Sequence, residues 1–311
     1  MSPHGSSIST SVCLDIRIPD MFLARRVYYV KWAGDEPCSD RLALTTLTSM
    51  AEDEKPATAG IYDYMLGGDN HTARDRIAGD QLNSVAPFRA MARLNRLFLE
   101  KSVRFLVDAG IRQFLDVGSG IPSKVNVHEV AQAIAPDTRV VYVDYDPIAV
   151  AQTREKLITN PLATAINGDL REPDSIIDSP AARELLDFDQ PLGLLFLGVI
   201  QFISDDDQPA EVLTRFLEHV APGSYLAMTH FTQDNLEQPM ADAVEFFRSV
   251  NTFMVPRRHA EVVDLVRGLE PVAPGVVFTA CWRPEPGEAA AYDNVNLDEL
   301  GHYAVVARKP E

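Results

Sequence analysis

Three aspartates stand where side-chain chemistry could converge. Asp116 closes the run Phe114-Leu115-Asp116-Val117 ahead of Gly118-Ser119-Gly120. Asp144 closes Val140-Val141-Tyr142-Val143, and Asp169 follows Ala163-Thr164-Ala165-Ile166 in Asn167-Gly168-Asp169-Leu170. A carboxylate at the end of a second strand can accept hydrogen bonds from both hydroxyls of a ribose. One after the third can accept from an exocyclic amine such as that of adenine. Gly118 and Gly120 let the backbone approach a ligand, and the following helix start offers free N–H groups. A dinucleotide site wants a third glycine, for close helix packing and a seated pyrophosphate. Here the run is Gly118-Ser119-Gly120-Ile121-Pro122-Ser123, without it. Acidic groups at all three points suit a cation better than a pyrophosphate, and a sulfonium bearing an amino-acid tail, a ribose and an adenine matches. Plainer uses exist: Asp146-Pro147 can start and cap a helix, and Asn167-Gly168-Asp169 can form an Asx turn. Three acidic strand ends in one order favour the shared site.

The elements that must hold these residues alternate. Short apolar strands are expected at 112–117, 140–143, 163–166, 191–197 and 223–229, with further candidates at 276–282 and 302–308. Helical periods fill 87–109, the stretch from Gly120 to about 135, and 147–158, 208–220, 241–249 and 259–268. The run Leu192-Gly193-Leu194-Leu195-Phe196-Leu197 is apolar throughout, as a strand buried on both faces should be. Strands alternating with helices mean a mostly parallel sheet covered on both sides, with its ligand beyond the carboxyl ends of the strands. Ahead of it, Ile61-Tyr62-Asp63-Tyr64-Met65-Leu66-Gly67-Gly68 reads as a short helix and a glycine break before a second helical stretch.

Composition narrows the classes. The chain has 311 residues, 46% hydrophobic and 23% charged, enough for a large core without a disulfide or metal staple. Its net charge of −17 repels phosphate backbones, and no basic stripe offsets it, so nucleic acid is not the expected partner. No apolar run reaches the roughly 18–20 residues of a membrane helix, and the start lacks a signal-peptide pattern. Three cysteines (Cys13, Cys38, Cys281) without CxxC spacing suit a reducing compartment, hence a cytoplasmic location. Residues 1–49 lack a sustained period and are expected to be a loose extension or the product of an upstream start. Residues 50–311 are expected to be one domain. Oligomeric state is not readable.

Two further features bear on chemistry. His230 ends the fifth strand candidate and is a candidate proton acceptor, although a lone histidine is more often packed or exposed than catalytic. The Asp205-Asp206-Asp207 run precedes a helix, where carboxylates serve as caps and solvated charge; no metal is expected.

At this point the sequence resembles the class I S-adenosylmethionine-dependent methyltransferases, through the ordered set DVGSG, VYVDYDP, NGDL. More closely, GIYDYMLGGDNHTARDR, LNRLFLEKSVRFLVDAGIRQFLDVGSGIPSKVNVHEVAQ and the terminal YAVVARKP resemble a bacterial S-adenosyl methyltransferase family first catalogued as a domain of unknown function. The resemblance covers about residues 56–311. It implies a Rossmann-like α/β fold with a seven-stranded, mostly parallel sheet whose last strand is antiparallel. It also implies S-adenosylmethionine as cofactor: Asp116, Gly118 and Gly120 along the methionine part, Asp144 on the ribose, Tyr145 on the adenine face. Asp169 and Leu170 would meet the adenine edge and face, and Leu197-Gly198-Val199 would pass the sulfonium. The family's N-terminal block maps onto Tyr62, Tyr64, Gly67, Gly68 and Asn70, a lid over cofactor or substrate. Where relatives often carry a histidine after the fourth strand, this chain has Gln201 in Ile200-Gln201-Phe202. An amide can hydrogen-bond there but cannot take a proton near neutral pH.

The leading expectation is a methyltransferase acting on an unidentified, small-molecule acceptor. A cofactor-binding regulatory or scaffold protein without catalysis is the alternative that Gln201 keeps open. A nicotinamide-dependent oxidoreductase is disfavoured by the absent third glycine. A basic protein substrate, drawn to the acidic surface, lacks any visible peptide groove.

Overall fold

Apolar runs of five to seven residues alternate with helical periods, and the product is a doubly wound sheet. The computed structural model describes residues 55–123, 125–284 and 300–311; the first 49 residues, expected as a loose extension, lie outside the described residues. Strands β1 (Gln113–Val117), β2 (Arg139–Asp144), β3 (Ala163–Asn167), β4 (Gly193–Leu197) and β5 (Tyr225–Phe231) are parallel. At the far side lie β6 (Glu270–Pro271), β7 (Val277–Phe278) and β8 (His302–Arg308). The sheet runs β3-β2-β1-β4-β5-β8, with β8 antiparallel to β5 and both β6 and β7 pairing its outer edge. Among the described residues, eight strands thus fill seven positions. The strand expected at 276–282 is only β7, followed by a tight turn at Thr279–Cys281. Pro274, which has no N–H to give a ladder, and Gly275 at φ +89° separate β6 from β7.

The helices are α1 (Thr58–Leu66), α2 (Ala73–Val85), α3 (Phe88–Asp108), α4 (Val127–Ile134) and α5 (Pro147–Lys156). Then come α6 (Pro173–Ile177), α7 (Pro180–Leu185), α8 (Pro209–Glu218), α9 (Glu237–Ser249) and α10 (His259–Leu265). Alternate residues of each strand serve opposite layers. Leu115, Val141, Phe196 and Met228 pack with α6, α7, α8 and α10, whereas Phe114, Val140, Leu195 and Ala227 pack with α3, α4 and α5. The helix after Gly120 starts later than its sequence suggests. Asn126 Oδ1 accepts from the Ser123 N–H at 3.1 Å, and the Asn126 N–H donates to Glu129 Oε2 at 2.8 Å, a capping box that sets the start.

A third apolar cluster lies over the carboxyl ends of the strands. Ile61 and Met65 of α1, Leu82 of α2 and Phe88 and Met91 of α3 meet Met240, Ala243 and Phe247 of α9. This layer joins the N-terminal helices to the segment between β5 and α10. Asp75 ties it together, accepting from the Ala57 N–H at 2.8 Å while capping α2 with Thr72. Among the described residues no helix is long and apolar enough to cross a membrane.

Candidate functional site

The strand order reverses between β1 and β4, which opens a crevice above their carboxyl ends. The third apolar cluster roofs that crevice. The cavity measures about 540 Å³, within the range of small-molecule sites, and opens to solvent at its rim. All nine residues expected to hold the cofactor border it: Asp116, Gly118, Gly120, Asp144, Tyr145, Asp169, Leu170, Leu197 and Gly198.

Their geometry starts from the loop after β1. The N–H groups of Gly118 and Ser119 donate to the Val143 carbonyl at 2.8 and 3.0 Å, which bends the loop toward β2. Gly118 and Gly120 hold φ at +75° and +66°, and a Cβ on Gly118 would stand 2.3 Å from Val199 Cγ2. Any side chain there is strained and collides. Asp144 is 7% exposed. Its Oδ2 accepts from the Gly120 N–H at 2.7 Å and its Oδ1 from the Asp146 N–H at 2.9 Å. Burial raises its pKa, against the pull of those backbone donors. Asp146 separately caps α5 through the Ile148 N–H at 2.8 Å. Asp144 thus borders the cavity while Asp146 does the capping.

Asp116 differs from Asp144 in having no hydrogen bond to its carboxyl among the described residues. Burial, with Asp144 adding repulsion and Arg96 opposing, pushes its pKa up to about 7. A buried, unpaired acid on a cavity wall favours a cationic group nearby. Tyr145 stands 73% exposed at the rim, a free ring face. Asp169 is already engaged: Arg171 Nε lies 3.0 and 3.1 Å from its two oxygens and the Arg171 N–H donates at 3.0 Å. The guanidinium holds that carboxyl below the usual range, so an exocyclic amine would share it with Arg171.

The N-terminal block divides. Tyr62 borders the cavity; its hydroxyl accepts from Asn95 Nδ2 at 2.9 Å and donates to the Ala92 carbonyl at 3.3 Å. Tyr64, Gly67, Gly68 and Asn70 do not border it. Tyr64 donates to Asp80 at 2.8 Å and takes a bond from Arg89 at 2.6 Å, while Gly67 ends α1 at φ +73°. Gly68 lies against Asp63, and the Asn70 N–H donates to Asp63 Oδ2 at 2.9 Å. These four set the turn that anchors α1 over the loop at Gly120, where Ala59 Cβ would lie 3.9 Å from a Cβ on Gly120. Asp63, 4% exposed, also pairs with His71 Nδ1 at 2.9 Å. Asp63→Ala is expected to destabilise the fold by about 2–3 kcal/mol, read by urea unfolding, because a backbone donor and a histidine are left unpaired.

His230 is fully buried and does not border the cavity. Arg257 Nη1 donates to its Nε2 at 2.9 Å, so its Nδ1–H donates to the Phe231 carbonyl at 2.7 Å. Burial drives its pKa down to about 3. With both nitrogens occupied, the expected base role has no support in this arrangement. Arg257 continues to Asp205 at 2.5 Å, and Ser204 holds Asp207, which accounts for the aspartate run as ion pair and cap. Among the described residues no cluster of three or more His, Cys, Asp or Glu side chains could hold a metal ion.

Gln201 does border the cavity, 1% exposed, with its Oε1 lacking any partner. Two neighbours escaped the sequence reading. His302 opens β8 opposite Phe231, its ring 4.9 Å from that phenyl, and neither ring nitrogen has a partner. Burial drives its pKa to about 3, which keeps it neutral. Asn95 of α3 links Tyr62 to Thr229, whose hydroxyl donates to Asn95 Oδ1 at 2.8 Å. A histidine at a strand start and an asparagine within a long helix carry no spacing signal, so only the folded arrangement exposes them.

A doubly wound sheet with acidic strand ends and a roofed apolar crevice defines a nucleoside-cofactor enzyme of the Rossmann-like methyltransferase class. Comparison with known proteins makes the class particular: the family model described as S-adenosyl methyltransferase matches residues 45–310, and the chain belongs to that family. It is an S-adenosylmethionine-dependent methyltransferase. The crystal structure of a DUF574 family protein from Streptomyces avermitilis is 36% identical, with a TM-score of 0.79, over 82% of this chain and 98% of that one. A protein from Thermobifida fusca, assigned provisionally to the methyltransferases, is also 36% identical, with a TM-score of 0.77, over 84% and 97% of the two chains. Comparison with curated proteins finds no match.

Proposed function

We propose that this enzyme transfers the methyl group of S-adenosylmethionine to a small-molecule acceptor held in the roofed cavity. The observation that carries this reading is the continuity of that cavity, which runs from the carboxylates of Asp116 and Asp144 to an apolar wall formed by α1, α3 and α9. The cofactor supplies a methyl group activated on a sulfonium. The chain supplies binding, alignment and exclusion of water. On this reading Asp144 receives the ribose hydroxyls while staying pinned by the Gly120 and Asp146 N–H groups. Asp116 faces the amino-acid end, where its unpaired carboxyl compensates an ammonium. Tyr145 covers the adenine, with Leu170 on the opposite face and Asp169 at the edge. Leu197 and Gly198 line the path of the methyl group, Gly198 at φ +77° keeping that path clear. Tyr62, fixed by Asn95, closes the cavity from above. A reducing, cytoplasmic setting belongs to the same proposal, on the sequence ground that three cysteines lack CxxC spacing.

Calorimetric titration with S-adenosylmethionine, S-adenosylhomocysteine and NADH tests the assignment of the site. Micromolar binding of the two sulfur compounds and none of NADH is expected; the reverse pattern would sink it. Residues 50–311 are proposed to carry the function alone. A protein trimmed to that span is expected to bind S-adenosylhomocysteine within threefold of the full chain; a larger loss by the same titration overturns the boundary.

A further inference from the structure

The cavity beyond the cofactor residues has a wall of one chemical kind. Ile61, Met65, Phe88, Met91, Phe231 and Phe247 supply it. Most charged side chains that border the cavity lie toward the strand ends: Asp116, Asp144 and Asp146, Asp169 with Arg171, and Asp207; Arg96 reaches the Tyr62 ring at 5.6 Å, and its charge is opposed by the Asp116 carboxyl. The titratable groups on the apolar side stay neutral around pH 7. Burial keeps the Tyr62 phenol protonated and the His302 imidazole unprotonated. An ionised acceptor pressed against this wall would lose its hydration without gaining a counter-charge, which is costly.

Two side chains on that side carry unpaired polar atoms, Gln201 and His302, and the Gln201 amide is the one that stands beside Gly198. The Gln201 side chain makes no hydrogen bond among the described residues, although its backbone carbonyl is fixed by the Val255 N–H at 2.8 Å. Its amide end stands close to Gly198: a Cβ built on Gly198 would lie 3.6 Å from Gln201 Nε2. Gly198 belongs to the stretch that lines the methyl path. The free amide therefore sits where an acceptor's own polar group must arrive. Its end can turn to present either oxygen or nitrogen, so it serves a hydroxyl or an amine equally.

Resting on the methyltransferase reading above, we propose that the acceptor is an uncharged, aromatic-bodied small molecule whose single hydroxyl or amine is held by the Gln201 amide. The ring body lies against the methionines and phenylalanines, where offset and edge-on ring contacts are available. Gln201 positions the acceptor atom; it takes no proton. Specificity then arises from both sides: burial rejects charge, and an unmatched amide rejects a body with no polar group.

The test uses the full chain saturated with S-adenosylhomocysteine and three probes: 2-naphthol, 2-naphthoate and 2-naphthylmethylammonium. 2-Naphthol is expected to bind at least about tenfold tighter than either ion. Gln201→Leu is expected to weaken 2-naphthol about tenfold, the loss of one buried hydrogen bond, while S-adenosylhomocysteine affinity moves less than threefold. That retained affinity also shows that the variant is folded; Gln201→Met serves if the leucine variant is not. Preference for an ion, binding of none of the three, or 2-naphthol affinity untouched by the substitution overturns the acceptor proposal alone. Absence of S-adenosylhomocysteine binding to the unaltered protein overturns the underlying assignment and this proposal with it.

Discussion

Asp144→Ala is expected to weaken S-adenosylhomocysteine binding by about a hundredfold or more. A carboxylate bonded to two ribose hydroxyls makes two charge-assisted hydrogen bonds, each worth about 1.5–3 kcal/mol, and about 1.4 kcal/mol is a factor of ten in affinity. The substitution also removes the acceptor of the Gly120 and Asp146 N–H groups. The loop that cradles the cofactor would then lose its tether to the end of β2. Asp144→Asn separates the two contributions. It keeps one oxygen for a backbone donor but loses the charge, so an intermediate loss is expected. Calorimetry gives the affinities, and the thermal shift on ligand addition gives an independent reading, since ligand at a hundred times its Kd adds about 2.7 kcal/mol of stability. An alanine variant that binds within threefold of the unaltered protein removes Asp144 from the site.

The second large effect is on pH. The folded pKa of Asp116 is raised to about 7, first by burial and then by Asp144, against the favourable field of Arg96. An unfolded aspartate titrates near 4, so between those values the folded chain holds a proton that the unfolded chain has released. Stability contributed by this group therefore falls as pH rises from about 4 to 7. Cofactor binding works the other way. An ammonium beside the carboxyl favours its ionised form, so binding below pH 7 releases a proton, and affinity rises with pH by up to about tenfold per unit until it levels off. Titrations at pH 5.5 in two buffers of different ionisation enthalpy are expected to reveal release of about one proton. Asp116→Asn should abolish that release and flatten the pH dependence of affinity. It should also stabilise the unliganded protein above pH 7, because a buried charge is removed. An unchanged proton count in the variant would assign the linkage to another group. Asp144 is the first to suspect, since its own pKa is also raised. The two carboxyls are neighbours, so Asp144→Ala should itself bring the Asp116 pKa down.

The strand-end half of the cavity was legible before folding because it is local. A strand that ends in an acid, a glycine turn and a following helix all lie within a dozen residues, and their spacing along the chain determines their spacing in space. Gly118 shows both sides of this: its φ of +75° belongs to a turn the sequence already specifies, whereas Val199, which leaves no room for a Cβ there, comes from the loop after β4. The parallel order of β1 to β5 was legible for the same reason, each strand being joined to the next by its own helix. The outer edge was less so. Two-residue strands such as β6 and β7 bury too little and run too briefly to leave a period of two, and their pairing depends on β8 being present.

The roofed half of the cavity was legible only at Tyr62 and Gln201, because its parts come from distant segments. Tyr62, Asn95, Gln201, Phe247 and His302 meet only when the N-terminal helices and α9 close over the sheet. The same closure decided the fate of His230. By sequence it is a histidine at a strand end, in the position expected of a base. In space Arg257, from beyond α9, reaches its lone pair and makes it part of the frame. It also decided that four of the five residues in the N-terminal block hold a turn, while Tyr62 alone reaches the cavity. The sequence by itself thus determined the sheet, its glycine loop and the acidic strand ends, all of which rest on near-neighbour geometry. The tertiary structure decided which polar groups stay unpaired in the cavity, because pairing is a property of whatever the rest of the chain packs against them.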